Sequence, residues 1–468
     1  MKKLYFIFLI LSLLPLSCSK DSRLNDNQGL DQQLSNANVL SSGSVIKVSP
    51  GTDDTQALIN AFIQAKTLGK NATVKLMPGT FKIDMIEVKE FNGTLSGSGK
   101  GKTIITNLPG LTPDVAIQNN RLPALITFIG GNVSVSDLSF KLSEGLSWIG
   151  QYEMDLLLFS DYSADFTPAK KYIGVNLNNI ELTSVQQFNY PYNFFYGAKF
   201  APDMLNPSGN MLITRSNIDA TVANSKFSKL STGIMVRGCL KGNFIFGEGG
   251  CNIFTENIGS LFVQENIGIN VKIIKNEFTI PDYSADGIDL NAFEQGIFEY
   301  TSSRVGTFEI RDNTFNIYKS WGFGLWDNWR YDHPENPDWM NMVWDHNTFN
   351  CVADGAAIGN LFGLKGAIFS NNKIIGNAQN GYLGIFGSWL GTDDPNYLMI
   401  WTENCKFLDN IFLKNGFIIN LNPTTKNCLI MGDLNNVTVN NAGVNNKVID
   451  KRIKLLPKPK TPAILQTK

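Results

Sequence analysis

The sequence predicts an all-β solenoid of short strands, one coil per repeat, with a helix covering its first coil. Three observations carry this. A phrase of Asn, a variable residue, an aromatic or aliphatic residue, a variable piece and a Gly opening an alternating apolar run recurs from Asn224, Asn276, Asn313 and Asn347. Looser copies start at Asn372 and Asn410. Alternation of this kind marks strands with one buried face, and the Gly and Asn positions mark turns that tolerate positive φ. Aligning VRG, VQE and LNA puts Arg237, Gln264 and Asn291 in one column, spaced 264 − 237 = 27 and 291 − 264 = 27. A period of that size, with strands too short for independent sheets, is a solenoid period. Finally, Asp53 or Asp54 can cap a helix whose one face holds Leu58, Ala61, Phe62 and Ala65.

Taken in chain order, the elements are as follows. Lys2 and Lys3 precede the apolar run LYFIFLILSLL, and PLSC ends at Cys18. The run is short for a bilayer span and reads as a signal peptide over residues 1–17. A small residue directly before a cysteine resembles a bacterial lipoprotein cleavage site, with Cys18 lipidated, and SKDS after it resembles the export signals of surface lipoproteins of Bacteroidetes type. An ordinary secretory signal with a chance cysteine is the alternative. Residues 18–44 are polar and read as a flexible tether. The solenoid is expected over residues 45–450 and a C-terminal tail over 451–468. With Trp326 and Gly359 continuing the column, the later gaps lengthen to 35 and 33, the excess being inserted loops. Asparagines at equivalent turns are expected to stack into a hydrogen-bonded ladder.

LSGSGKGKT, from Leu95 to Thr103, ends like a phosphate-binding loop. Ser96 stands where that motif needs its first glycine, and a strand-like run follows in place of a helix. Together GTDDTQALINAFIQA, VKLMPGTFKI and LSGSGKGKTII resemble the opening of the pectin lyase-like superfamily, over roughly Val45 to Asp450. The resemblance implies a single-stranded right-handed parallel β-helix with an N-terminal capping helix. It makes Gly97, Gly99 and Gly101 corner residues.

Lys and Arg number 40 against 41 Asp and Glu, a formal net charge of −1, which argues against a dedicated nucleic-acid binder. Two histidines, His333 and His346, make no paired zinc pattern, and no metal site is expected. Calcium could be held by GTDDPN, Gly391 to Asn396, but a plain Asp-Pro turn explains it as well; no cofactor is expected. Cys239 and Cys251 could form a bridge or be buried as small apolar residues.

Many members of the superfamily cleave or epimerise polysaccharides in a groove along one sheet. Alternation here points Ile234, Val236, Ile288, Leu290, Phe323 and Leu325 inward and Met235, Arg237, Asp289, Asn291 and Trp326 outward. Arg237, Gln264, Asn291 and Trp326 then form a stripe, with Asp289 beside it and Asp286 and Asp327 at the turns. ADGIDL resembles the NTDGID motif of polygalacturonases at its two aspartates. It departs from it at Ser284 and Ala285, and DGIDL also reads as an ordinary turn and strand. The Trp-rich stretch from Trp321 to Trp344, with Trp329, Arg330 and Trp339, suits stacking on sugar rings or a loop folded with its tryptophans buried. The aromatic stretches Trp148 to Lys171 and Asn189 to Asn210 could wall the same groove.

The expected protein is thus a lipoprotein of the outer membrane, anchored through Cys18 and facing outward. It binds polysaccharide and cleaves it as a glycoside hydrolase, with Asp286, Asp289 and Asp327 catalytic and the stripe and tryptophans binding. A polysaccharide lyase of the same fold and a non-catalytic glycan-binding or adhesion lipoprotein are the alternatives.

Overall fold

The computed structural model describes residues 39–42, 44–113, 123–143, 146, 152–160, 172–184, 193–200, 203–205, 211–213, 216–237, 239–264, 266, 268–281, 286–291, 306–318, 321–326, 341–352, 357–362, 365–376, 382–386, 402–413 and 417–452. The chain winds as a parallel β-helix with three faces. Face 1 contains, among others, Tyr152–Ser160, Asn193–Phe200, Thr232–Arg237, Gly259–Gln264, Asp286–Asn291, Trp321–Trp326 and Ala357–Phe362, each parallel to the next. Face 2 runs from Val45–Val48 to Lys447–Asp450 through strands such as Gly268–Ile274, Thr307–Arg311 and Asn341–Asp345. Face 3 includes Gly79–Ile83, Thr103–Asn107, Glu277–Ile280, Thr314–Ile317 and Thr348–Cys351. Ala124–Leu142 passes through all three faces in one run, bending at Gly130, Gly131 and Asp137, which have positive φ. An antiparallel strand, Val39–Ser42, pairs with Val45–Val48.

The corner between faces 2 and 3 shows why this sequence coils. One residue there takes a left-handed conformation: Asn224, Lys275, Asp312, His346, Asn371 and Asp409 all have φ between 52° and 59°. Short polar side chains tolerate that region best, which suits four of the six. After five of these six the next residue is an asparagine. With Asn252, which follows Cys251, they form the ladder Asn252, Asn276, Asn313, Asn347, Asn372 and Asn410, buried except for the last, which is half-buried. Each Nδ2 donates to the Oδ1 of the next rung at 2.9–3.0 Å. The same Oδ1 accepts a backbone N–H, and Nδ2 also donates to a strand carbonyl, such as that of Ile310 for Asn347. The amides therefore satisfy the backbone where the sheet turns. From Asn224 the repeat phrase is offset by one residue. Asn224 is the left-handed corner residue there, and Ser225 occupies the ladder position, its N–H donating to Asn252 Oδ1 at 3.0 Å.

Two residues on, phenylalanines stack inside face 3. Phe227, Phe254, Phe278, Phe315 and Phe349 have successive centroids 4.9, 4.8, 4.9 and 4.7 Å apart, with planes within about 10°. The spacing matches the distance of about 4.8 Å between strands, so identical residues in register must stack. Trp344 and Phe369, on face 2, join this core.

The helix spans Asp54–Leu68 and is capped by Asp53, whose Oδ1 accepts from the Gln56 N–H at 3.0 Å. Asp54 is buried instead, accepting from the N–H groups of Gly51 and Lys82 at 2.7 Å each. Leu58, Ala61, Phe62 and Ala65 face the core, and the Phe62 ring meets Phe91 and Phe128 edge-on at 5.2 and 5.9 Å. The glycine-rich stretch makes corners. Gly97 N–H donates to Ser136 and Gly99 N–H to Asp137, and a Cβ on Gly97 would lie 2.4 Å from the Asp137 carbonyl oxygen. Thr103 then begins a strand of face 3.

All five described cysteines are free thiols: Cys239, Cys351, Cys405 and Cys428 are buried, and Cys251 is exposed. Burial pushes the Cys351 thiol up to about 12. Of the alternatives for Cys239 and Cys251, no bridge forms. Cys18 lies outside the described residues, and among those residues no helix is long and apolar enough to cross a membrane.

Candidate functional site

Face 1 carries the residues that the sequence singles out. Arg237 pairs in register with Gln264, Gln264 with Asn291 and Asn291 with Trp326, so the four form one column on successive rungs. The column continues to Phe362 and Phe386, not to Gly359. Gly359 pairs with Phe323, in a column that includes Ile234 and Leu261 of the core. The run GAAIG has no bulky alternation to set a register, and a three-residue slip passed unnoticed in the spacing.

The outward positions of face 1 follow an unusual rhythm. Leu156, Leu157 and Phe159 belong to the core, while Asp155 and Leu158 do not. The same interval of three recurs as Tyr196 and Lys199, Thr232 and Met235, and Gly259 and Phe262, each pair in register with the one before. Side-chain geometry supports it. Lys199 Nζ lies 5.1 Å from the centroid of the Tyr196 ring, a cation–π distance. A Cβ on Gly259 would lie 2.3 Å from the Phe262 ring, so that ring covers Gly259. Asp286 and Asp289 fall on the next rung, paired with Gly259 and Phe262, and Trp321 and Gly324 follow. Asp286 is thus the first residue of a strand and not a turn residue flanking the stripe. Both aspartates thus share one rung, at the register positions that continue those of Gly259 and Phe262.

Outward does not mean exposed here. Asp155 is 1 % and Lys199 2 % exposed, and Thr127, Leu158, Thr232 and Met235 are buried with them. Register links Glu87, Thr127, Leu158, Lys199, Met235, Phe262 and Asp289 across seven rungs. Thr127 Oγ1 has no hydrogen-bond partner among the described residues. A lysine and an aspartate this buried are rare outside paired or functional settings. In such a low-dielectric place an ammonium group acts strongly on any anion that reaches it. Sequence reasoning missed Asp155, Tyr196 and Lys199. The available signal was a charge set among apolar residues in each strand, Asp155 in YEMDLLLFS and Lys199 in NFFYGAKF.

Two expectations change. Tyr152–Ser160 and Asn193–Phe200 are rungs of face 1 rather than walls beside it, because Leu157, Phe159, Phe195, Ala198 and Phe200 pack into the core. Trp344 is a fully buried core residue 5.8 Å from Phe369, not a sugar platform. Asp327, Trp329, Arg330 and Trp339, and the segment from Gly391 to Asn396, lie outside the described residues. Among the described residues no three His, Cys, Asp or Glu side chains are grouped to hold a metal ion.

No protein-family model matches the chain, and no curated protein matches it. Among solved structures, it is similar to the A-module of an Azotobacter vinelandii mannuronan C-5 epimerase, with 12 % identity over 89 % of this chain and 94 % of that one, at a TM-score of 0.42. The catalytic unit of a GH87 alpha-1,3-glucanase from Streptomyces thermodiastaticus is 12 % identical over 88 % of this chain and 70 % of that one, at 0.46. PfbA, a surface adhesin of Streptococcus pneumoniae, is 13 % identical over 81 % and 89 %, at 0.37. The parallel β-helix itself rests on the strand register of this chain, and the activities in those names belong to those proteins.

Proposed function

We propose that the protein binds an extended polysaccharide along the outward side of face 1 and cleaves it by hydrolysis. Asp286 and Asp289 serve as the acid pair, with Asp327 next to Trp326 in sequence. Arg237, Gln264, Asn291 and Trp326 form the binding column, and Trp329, Arg330 and Trp339 extend it. The observation that carries this reading is the register, which sets both aspartates on the same rung as Asn291, between the rungs of Gln264 and Trp326 on one face. Three residues along a strand separate Cα atoms by about 10 Å. That suits the wide carboxylate spacing of inverting glycosidases, about 6.5–9.5 Å, better than the narrower retaining one. Inversion is the expected stereochemistry.

The purified protein is to be screened against a polysaccharide panel for new reducing ends. Asp289→Asn is expected to abolish turnover and leave glycan binding and the melting temperature nearly unchanged. Full activity in all of Asp286→Asn, Asp289→Asn and Asp327→Asn would remove this face from the chemistry.

A second reading, lyase cleavage of a uronate polymer, is favoured by one observation: the buried Lys199 over Tyr196, with Asp155 on the adjoining rung. Lys199 or Arg237 would neutralise the uronate carboxylate, and Tyr196 would exchange the proton. Unsaturated-uronate absorbance, lost in Tyr196→Phe, would select it. Binding with no product would select the non-catalytic adhesion role. We further propose that Cys18 carries lipid and anchors the protein to the outer membrane, facing outward. Lipid labelling that persists in Cys18→Ser would sink that part.

A further inference from the structure

Face 2 carries a groove that the proposed function leaves unused. A cavity of about 630 Å³ opens over six rungs, lined by Asn132, Ser134, Asn176, Asp219, Thr221 and Asn243 among others. Its floor is two outward columns. One reads Asn92, Asn132, Gly174, Asp219; the other reads Thr94, Ser134, Asn176, Thr221.

The first column is a ladder with one rung missing. Asn132 donates from N and Nδ2 to Asn92 Oδ1, at 3.1 Å each. Beyond the gap, Asn243 donates from N and Nδ2 to Asp219 Oδ1 at 2.8 and 2.9 Å, and Asn270 continues to Asn243 Oδ1 at 3.0 Å. Gly174 stands between the two runs. A Cβ there would lie 2.4 Å from Asn132 Oδ1. The glycine leaves the backbone bare and two acceptors open on either side of it, Asn132 Oδ1 and Asp219 Oδ2. Among the described residues neither has a hydrogen-bond donor, and the Ser134 and Thr221 hydroxyls and the Asn176 amide have no partners.

We infer that this groove is a second carbohydrate site, separate from face 1, for a neutral sugar unit. The ligand chemistry follows from the groups. Acceptors without a neighbouring cation call for hydroxyl donors, and the hydroxyls and the Asn176 amide can donate or accept in return. An anionic sugar would meet Asp219 and no lysine or arginine in the lining. The bare backbone at Gly174 lets a ring approach the sheet closely. A single carboxylate provides no acid pair, so the site holds a chain and does not cut it.

The test uses the full chain and calorimetric titration with maltohexaose, cellohexaose, laminarihexaose, xylohexaose and mannohexaose. At least one hexaose is expected to bind the wild-type protein and the Asp289→Asn, Arg237→Ala variant alike. Asp219→Ala, and separately Asn176→Ala with Thr221→Ala, should weaken it about tenfold or more with the melting temperature kept. Gly174→Val should abolish it. No binding of any hexaose by the wild-type protein overturns the inference, as does binding unaffected by the Asp219 and Asn176 variants. A hexaose lost from the Asp289→Asn, Arg237→Ala variant but kept by the groove variants would assign it to face 1 and also overturn the inference. Because the two sets of variants are independent, this result does not depend on whether face 1 cleaves anything.

Discussion

The corner between faces 2 and 3 and the outward side of face 1 are built by the same coils under opposite demands. At the corner every rung must repeat the last. Asn276, Asn313, Asn347 and Asn372 share one hydrogen-bond pattern, and Phe278, Phe315 and Phe349, two residues after the first three, stack with nearly parallel rings. On face 1 successive rungs carry Lys199, Met235, Phe262 and Asp289 at one position. Repetition serves stability because each coil contacts only its neighbours, and a like residue stacks best on its like. Diversity serves recognition, because a ligand lying across rungs meets different groups at each. The difference says where to look in a solenoid: the face where the ladder breaks its own pattern is the one free to act.

Substitutions should separate the two regions. The largest loss of stability is expected from Phe278→Ala, about 3–5 kcal/mol, because it empties the middle of the ring stack. Denaturant unfolding checks it, and a loss below about 1 kcal/mol would show that neighbouring rings close the gap. Asn347→Ala comes next, at about 2–3 kcal/mol. It strands the Asn313 amide N–H and the Ile310 carbonyl in the interior. Its test is the same unfolding curve, with Asn347→Asp as companion. An aspartate keeps the acceptor and loses the donor, so it should fall between wild type and alanine. Third is Asp53→Ala, about 1 kcal/mol, through loss of the helix cap at the covered end. None of these should alter turnover of folded protein, whereas Asp289→Asn should do the reverse.

The same contrast explains what could be read from the sequence. The Asn-x-Phe phrase repeats because the corner geometry admits little else, so the ladder and the capping helix were legible in the sequence, whereas the ring stack that the same phrase encodes was not drawn from it. The column from Arg237 to Trp326 was legible because its first two intervals are equal. It failed at Gly359, where small residues erase the alternation that sets register. The site was less legible. Asp155, Tyr196 and Lys199 sit in strands whose aromatic content suggested loops, and their outward interval of three departs from strict alternation. Gly174 shows the same limit on face 2. One glycine in a strand gives no hint that it interrupts a side-chain ladder, since the rungs on either side of it, at Asn132 and Asp219, lie 42 and 45 residues away in the sequence.

The smallest expected effect tests the edge of the comparison, at the left-handed corner residue His346. Asp345, just before it, is the last strand residue of its rung on face 2. Partial burial raises its carboxyl, but hydrogen bonds from Ser370 Oγ at 2.7 Å, Asn371 Nδ2 at 3.0 Å and His346 Nδ1 at 2.6 Å outweigh this and hold it below the ordinary value. A carboxyl lowered on folding adds stability that is fully present above its unfolded value, about 3.9, and is lost as pH falls through the folded one. The group is partly solvated, so the contribution is small. Asp345→Asn should lower the melting temperature at pH 7 by about 1 °C and not at all once pH is below the folded value. Thermal melts of both proteins from neutral to strongly acidic pH check this. A constant difference across the range would mean that the substitution acts through shape and hydrogen bonding alone. The corner would then owe its order to the amide ladder without help from charge.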